Sequence, residues 1–368
     1  MKTLKTFYLL TLSTLLSLAA CSKDEGSDTP QPLTIEQTEY TLDAIDNRST
    51  TLSFTASAAW TLSVTGEDSD WLTVTPSIGT AGSKSVTLTA APRITEESRT
   101  AYVDIACGAQ TVQITVTQTG ASADADFTSL FDPVFADFLE QEDIISDVGK
   151  ITRQDMETIA SVTELEIGSG HSSSESLTDL RGIEFFKSLK HLGFQETAWT
   201  SLDVSGCTAL TELSCPFNQL TSLDLSVNTA LTGLSCSSNQ LTTLDVSANT
   251  ALTELYCYGN QLTSLDVSAN MALMWLSCSY NSLETLDISK NTALTQLDCS
   301  SNSLTTLDVS ANTALTWLSC ENNPGDGVST FPVTAWFDND TKPDNLEIYQ
   351  GQWTYDGKTI TIDFRKVE

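Results

Sequence analysis

Six cysteines, Cys215, Cys236, Cys257, Cys278, Cys299 and Cys320, recur every 21 residues, and six aspartates, Asp203, Asp224, Asp245, Asp266, Asp287 and Asp308, keep the same interval. Thiols and carboxylates bind metals, form disulfides and move protons, so each row must be weighed for that chemistry. For the cysteines, adjacent turns of a coiled chain would bring backbones within disulfide range, and an oxidising compartment would allow the bond. Stacked side chains point the same way instead of toward one another, which favours buried thiols packing as small hydrophobes. A metal site is disfavoured because thiolates in an apolar core would lie uncompensated and no C-x-x-C pair occurs. Aspartates stacked about 5 Å apart repel. Calcium could bridge them, but a solvated row bonded to local backbone is the favoured reading.

The rest of the inventory argues against catalysis. Only two histidines occur, His171 and His191, so multi-histidine metal sites are excluded and histidine-based acid–base work nearly so. Lys and Arg total 17 against 48 Asp and Glu, a net charge of −31 that repels phosphate and speaks against nucleic acid and anionic lipid as partners. No nucleophile elbow, phosphate loop or zinc motif is present. No enzymatic activity, no metal and no cofactor are therefore expected.

The elements that position these rows follow from the interval itself. Leucines at 189, 210, 231, 252, 273, 294 and 315 open seven copies of one unit. The fourth copy places Leu252, Leu255, Cys257, Asn260, Leu262 and Leu265 in an L-x-x-L-x-C-x-x-N-x-L frame. This resembles the leucine-rich-repeat pattern, with cysteine in the third apolar position. The resemblance implies a solenoid in which Leu255 and Cys257 face inward while Glu254, Tyr256 and Tyr258 line an exposed parallel sheet. Asn218, Asn239, Asn260, Asn281, Asn302 and Asn323 fall at the bend, where an amide can serve backbone groups of neighbouring turns. Seven turns would stack to roughly 30 Å. One repeat cannot bury its own face, so stability must come from stacking. On the open face, Phe217, Tyr256, Tyr258, Trp275, Tyr280 and Trp317 replace the Ser, Gly, Gln or Glu of other copies. With Glu254 and Asp298 they are the candidate ligand-binding residues, and Glu212 and Glu321 would add to an acidic rim.

Upstream, residues 32–119 alternate apolar and small polar residues in short runs broken by Gly and Pro, which predicts an antiparallel, Ig-like β-sandwich. Ala59-Trp60, Trp71 to Pro76, and Ile114 to Gln118 resemble the BACON domain of Bacteroidetes surface proteins. That family's name implies carbohydrate association, but Trp60 and Trp71 sit in strand patterns and are read as core residues, making the domain a spacer. The chain opens with a basic start, Lys2 and Lys5, and a 14-residue apolar stretch, Phe7 to Ala20, too short to span about 30 Å of hydrocarbon. Leu18-Ala19-Ala20-Cys21 resembles the lipobox of bacterial lipoproteins, which implies diacylglycerol on Cys21 and durable anchoring through several acyl chains. The Ser22-Lys23-Asp24-Glu25 run resembles the acidic export signal of Bacteroidetes surface lipoproteins.

Two helices are predicted ahead of the repeats. One covers residues 133–142, with Asp132 as N-cap and Pro133 at the first position; the other begins at Thr152, with Asp155 completing a capping box. With Leu177 to Phe186 they resemble the N-terminal cap of surface leucine-rich-repeat proteins, including the internalin-like group. Asp143 to Asp155 has EF-hand-like spacing, but Ile144 and Val148 fall where ligands belong, so no calcium is expected there. Residues 352–364 read as a hairpin with an Asp356-Gly357 turn covering the last repeat. The expected organisation is thus a signal peptide at 1–20, a tether at 21–31, the sandwich at 32–119, linker and helical cap at 120–160, the solenoid at 161–323 and a β cap at 324–368. The fold class is mainly β. The expected function is that of a lipid-anchored outer-membrane protein at the cell surface whose repeat face binds a protein of a host or neighbouring cell. A carbohydrate-binding accessory of glycan uptake and a non-binding envelope component are the alternatives.

Overall fold

The computed structural model describes residues 32–168, 177, 179–194 and 199–367. The leader, Cys21, the acidic run behind it and His171 lie outside the described residues. The described residues divide into two compact units, one made of 32–40, Ser49–Thr89 and Ala101–Val116, the other of Thr41–Arg48, Ala90–Thr100 and those from Thr117 on.

The N-terminal strands are β1 (Leu33–Ile35), β2 (Glu39–Leu42), β3 (Ser49–Ala56), β4 (Trp60–Thr65), β5 (Leu72–Thr75), β6 (Ile78–Gly79), β7 (Gly82–Ala90), β8 (Arg99–Cys107) and β9 (Gln110–Gln118). They form two sheets, ordered β1-β3-β7-β5 and β2-β9-β8-β4-β6. Burial alternates along β3 and β7, as a strand with one wet face requires. Phe54 of the first sheet meets Trp60 of the second edge-on at 5.0 Å, so the sheets face each other across an aromatic contact. Trp60 also donates its indole N–H to the Thr80 carbonyl at 3.0 Å, and Trp71 is buried. Both tryptophans are core residues here and present no platform to a sugar.

Helix α1 (Pro133–Gln141) begins where Asp132 accepts from the amides of Val134 and Phe135, with Pro133 supplying a preset φ. It buries Phe135, Phe138 and Leu139. Helix α2 (Arg153–Ser161) carries a capping box in which the Thr152 hydroxyl accepts from the Asp155 amide while Asp155 accepts from the Thr152 amide. Asp155 also accepts from the amide and hydroxyl of Ser146, which ties the inter-helix segment to the start of α2. Among the described residues no helix is long and apolar enough to cross a membrane.

Nine parallel strands follow: β10 (Glu164–Ile167), β11 (His191–Phe194), β12 (Glu212–Ser214), β13 (Gly233–Ser235), β14 (Glu254–Tyr256), β15 (Trp275–Ser277), β16 (Gln296–Asp298), β18 (Trp317–Ser319) and β20 (Glu347–Ile348). From β11 to β18 the paired residues are 21 apart, for example Leu213↔Leu234↔Leu255↔Leu276. Strands β10 and β20 lie beyond the seven copies counted in the sequence and extend the sheet by one strand at each end. In β12 to β16 and β18 the central leucine and the cysteine two residues on are buried, and those cysteines carry free thiols; β10 and β11 bury Ile167 and Phe194 at the cysteine's place. Burial pushes the thiols of Cys215, Cys257 and Cys299 well above their ordinary range.

The bends are held by asparagine. Asn260 donates to the carbonyls of Cys236 and Cys257 at 3.0 and 3.1 Å, and its oxygen accepts from the Leu241 amide at 3.0 Å. Asn239, Asn281, Asn302 and Asn323 repeat this pattern. A second ladder runs beside it. Asn249, Asn270, Asn291 and Asn312 each donate to the carbonyl of the equivalent asparagine one turn earlier at 2.9 Å, starting from Asn228. The aspartate row is exposed, and each carboxylate accepts from the amide two residues on, as Asp266 does from Ser268 at 2.9 Å. Hydrogen bonds from the serine two residues on, hydroxyl first and amide second at Asp245 and Asp266 and the reverse at Asp224, hold these three carboxyls below the ordinary range.

The C-terminal residues form a second, four-stranded sheet in the order β17 (Leu307–Asp308), β19 (Thr330–Ala335), β22 (Lys358–Lys366) and β21 (Gln352–Tyr355). The β21–β22 hairpin turns on Asp356 and Gly357, both with positive φ. It is joined by β19, whose Phe331, Val333 and Ala335 are buried, a strand that Pro332 obscured in the sequence. Trp353 donates its indole N–H to the carbonyl of Asn323, the last member of the first asparagine ladder.

If the ladders hold the bends, Asn260→Ala should cost about 2 kcal/mol or more, because it leaves the buried Leu241 amide without its acceptor and takes one of two donors from each of the Cys236 and Cys257 carbonyls. Gln261→Ala, an exposed neighbour, should stay within about 0.5 kcal/mol. Urea denaturation of the two variants checks this, and equal losses would refute it.

Candidate binding face of the parallel sheet

From β10 to β18 the residues on either side of the buried leucine point away from it, and β20 adds Glu347 to the first of these positions. The register therefore reads out two outward rows. The first runs Glu164, His191, Glu212, Gly233, Glu254, Trp275, Gln296, Trp317, Glu347. The second runs Glu166, Gly193, Ser214, Ser235, Tyr256, Ser277, Asp298, Ser319. Acids and the histidine gather at the early strands and aromatics at the later ones.

Of the sequence-derived candidates, Glu254, Tyr256, Trp275, Asp298 and Trp317 stand on this face. Glu254 is exposed and the other four are half-buried. Tyr256 and Trp275 pack at 5.4 Å with planes tilted by 55°, and Trp317 meets Tyr349 at 6.3 Å and 54°. Phe217 and Tyr280 do not belong to the sheet. Both occupy the left-handed position of the bend, with φ of 57° and 52°, where other turns place Ser238, Gly259, Ser301 and Asn322. That position projects a side chain outward beyond the strand end, and the two rings are 49% and 65% exposed. Tyr258, next to this row, likewise follows the strand instead of lying in it and is half-buried. Glu321 is buried and accepts from the Ser319 hydroxyl at 2.7 Å, so it adds nothing to an exposed rim. Cys21 lies outside the described residues.

Sequence reasoning missed the most closely tied polar group on the face. His191 Nδ1 bonds Glu212 Oε2 at 3.0 Å, and its Nε2 bonds Glu166 Oε1. Gly193 makes this possible, because a β-carbon there would stand 2.1 Å from Glu166 Oε2. The clue lay in the interval, since His191 is 21 residues before Glu212. Burial alone would pull the imidazolium down, but the hydrogen bonds and charges of Glu212 and Glu166 outweigh it and raise the pKa of His191. With both ring nitrogens engaged, the imidazole serves as a charge-paired clasp between strands. Further along, Tyr256 donates to Glu254 Oε2 at 3.2 Å, and burial followed by the Glu254 charge pushes its phenol up to about 12. Among the described residues, no group of three or more His, Cys, Asp or Glu side chains is placed to hold a metal.

Comparison with known proteins locates the N-terminal strands. Residues 32–121 match the family described as the viral BACON domain. That segment is BACON-like. No curated protein matches the chain. Among solved structures, the functional domain of InlJ from Listeria monocytogenes, which includes a cysteine ladder, is 26% identical at a TM-score of 0.42 and covers 67% of this chain and 64% of that one. The leucine-rich effector protein YopM from Yersinia pestis is 22% identical at a TM-score of 0.39, covering 57% of this chain and 53% of that one. The leucine-rich repeat domain of APL1B is 16% identical at 0.26, over 55% and 92% of the two chains. The chain thus spans less than two-thirds of either bacterial structure.

The clasp predicts a pH dependence. Because the folded-state pKa of His191 is raised, its stabilisation is fully present below the unfolded value of about 6.5 and is lost as pH rises through the higher folded value. Urea midpoints taken from pH 5.5 to 8.5 should fall through that window in the parent and flatten in His191→Gln. An identical slope in both would show that the imidazole does not couple to folding.

Proposed function

We propose that the chain is a binding protein without catalytic activity, displayed on the cell surface as a lipoprotein, and that the outward face of its parallel sheet recognises a protein partner. One observation carries the reading. Residues of the inward columns barely change from turn to turn, with leucine, cysteine and asparagine recurring, whereas the outward row runs Glu212, Gly233, Glu254, Trp275, Gln296, Trp317. Variation at accessible positions over a constant interior is what a recognition surface needs. Aromatic anchors and flanking carboxylates on adjacent strands suit a broad protein epitope. The tilted, half-buried rings of Tyr256, Trp275 and Trp317 suit a flat sugar less well.

The remaining parts of the proposal rest on sequence. The apolar leader ending at Cys21 supports lipidation, and the acidic run behind it supports display at the outer membrane of a Bacteroidetes-type bacterium. Helices α1 and α2 would close the first turn and the C-terminal sheet the last, as a strict 21-residue solenoid requires. The sandwich would act as a spacer.

The chain from Ser22 onward, prepared without lipid, should capture a discrete protein from host-cell or bacterial surface extracts. The combined Tyr256→Ala, Trp275→Ala and Trp317→Ala variant should reduce capture more than tenfold with unchanged circular dichroism. Capture that survives in the variant would exclude this face, and saturable binding to a polysaccharide array with no protein captured would favour the glycan alternative.

A further inference from the structure

The outward row has one gap. Gly233 lies in register between Glu212 on one side and Glu254 on the other. Its backbone does not demand glycine. A β-carbon at Gly233 would meet only Glu212 Cγ at 3.5 Å, an ordinary contact, and the same row carries Glu, Trp and Gln on other strands. The missing side chain opens a depression of about 220 Å³ whose walls include His191, Glu212, Glu254 and Tyr256 and whose floor includes Ser214 and Ser235. That is below the roughly 300–1,000 Å³ of small-molecule pockets and suits one side chain of a larger partner.

Resting on the reading of this face as a protein-recognition surface, we infer that the depression over Gly233 seats a single cationic side chain of the partner, arginine in preference to lysine. Two strand spacings set Glu212 and Glu254 about 10 Å apart, room for one planar guanidinium between them. The two carboxylates differ in their ties. Glu212 already answers the His191 imidazole, whereas Glu254 bonds only the neutral Tyr256 hydroxyl among the described residues, through Oε2. The seryl hydroxyls of the floor can accept further N–H bonds, and the Tyr256 ring, braced by Trp275, offers a face for cation–π contact. The surroundings have the matching sign. Between Ser201 and Asn323 eleven carboxylates face one base, Lys290, so a cationic segment is steered in and an anionic one repelled.

The test uses the chain from Ser22 onward, isotope-labelled, at 150 mM salt. The probe is the pentapeptide acetyl-Ala-Ala-Arg-Ala-Ala-amide, and its glutamine twin is the control. The arginine peptide should give saturable amide shifts confined to His191, Gly233, Ser235 and Tyr256, and the twin should give none. Gly233→Gln, which adds the residue this row already carries at Gln296, should weaken binding at least tenfold at unchanged Tm, and Glu254→Gln should do the same. Shifts scattered along the exposed aspartate row, equal binding of the twin, or indifference to both substitutions would each overturn the proposal. The outcome is separable from the broader reading. Gly233→Gln leaves Trp275 and Trp317 in place, so a chain that captures its protein but ignores the arginine peptide loses the seat and keeps the face.

Discussion

A chain that bends every few residues and hides its bends must find partners for the amides and carbonyls it buries there, and in this protein asparagine supplies them. An asparagine side chain both donates and accepts, so one residue per turn can satisfy a carbonyl of its own turn and both a carbonyl and an amide of the turn before. Asn239, Asn260, Asn281, Asn302 and Asn323 do all three. The second row, Asn249 to Asn312, links each turn to its equivalent one step back. Because these bonds span turns, they fix the step between turns as well as the shape of each bend. The leucines and thiols then fall into register and exclude water along one continuous core.

This internal regularity leaves the outer rows free to vary. A side chain pointing away from the central leucine touches its neighbours above and below but carries none of the bend's hydrogen bonds. It can therefore become tryptophan, glutamate or glycine without disturbing the step. The polar character of the early strands and the aromatic character of the later ones arise from that freedom. The His191 clasp shows that the same rows can also bind strand to strand, with Gly193 left bare so that Glu166 can reach the ring.

Much of this was legible in the residues alone. The strict recurrence of leucine, cysteine and Asn260-type residues pointed to inward columns, and Asp132-Pro133 and Thr152 with Asp155 announced two helix starts that lie where local capping chemistry puts them. Asp356-Gly357 announced the hairpin turn. What escaped had physical reasons. Strands β10 and β20 pair across the steps Glu164↔His191 and Trp317↔Glu347, which break the 21-residue rhythm, so periodicity could not find them. Pro332 hid β19. For the candidate site, alternation placed Glu254, Tyr256 and Trp275 on the sheet, but Phe217 and Tyr280 follow a left-handed bend that period-two reasoning does not see. The second asparagine ladder was present at the right interval in the sequence, and its meaning needed the knowledge that those side chains turn inward.

Hydrogen bonds between turns fix the step from one strand to the next. Removing one whole turn, residues 231–251, tests it most directly, with deletions of 20 and 22 residues from the same start as companions. The 21-residue deletion should fold cooperatively with every remaining ladder intact, while the 20- and 22-residue deletions should lose cooperative unfolding in urea, because Asn260 and Asn270, which reach across the junction to the turn before, are shifted off their partners there. Equal stability for all three deletions would contradict it.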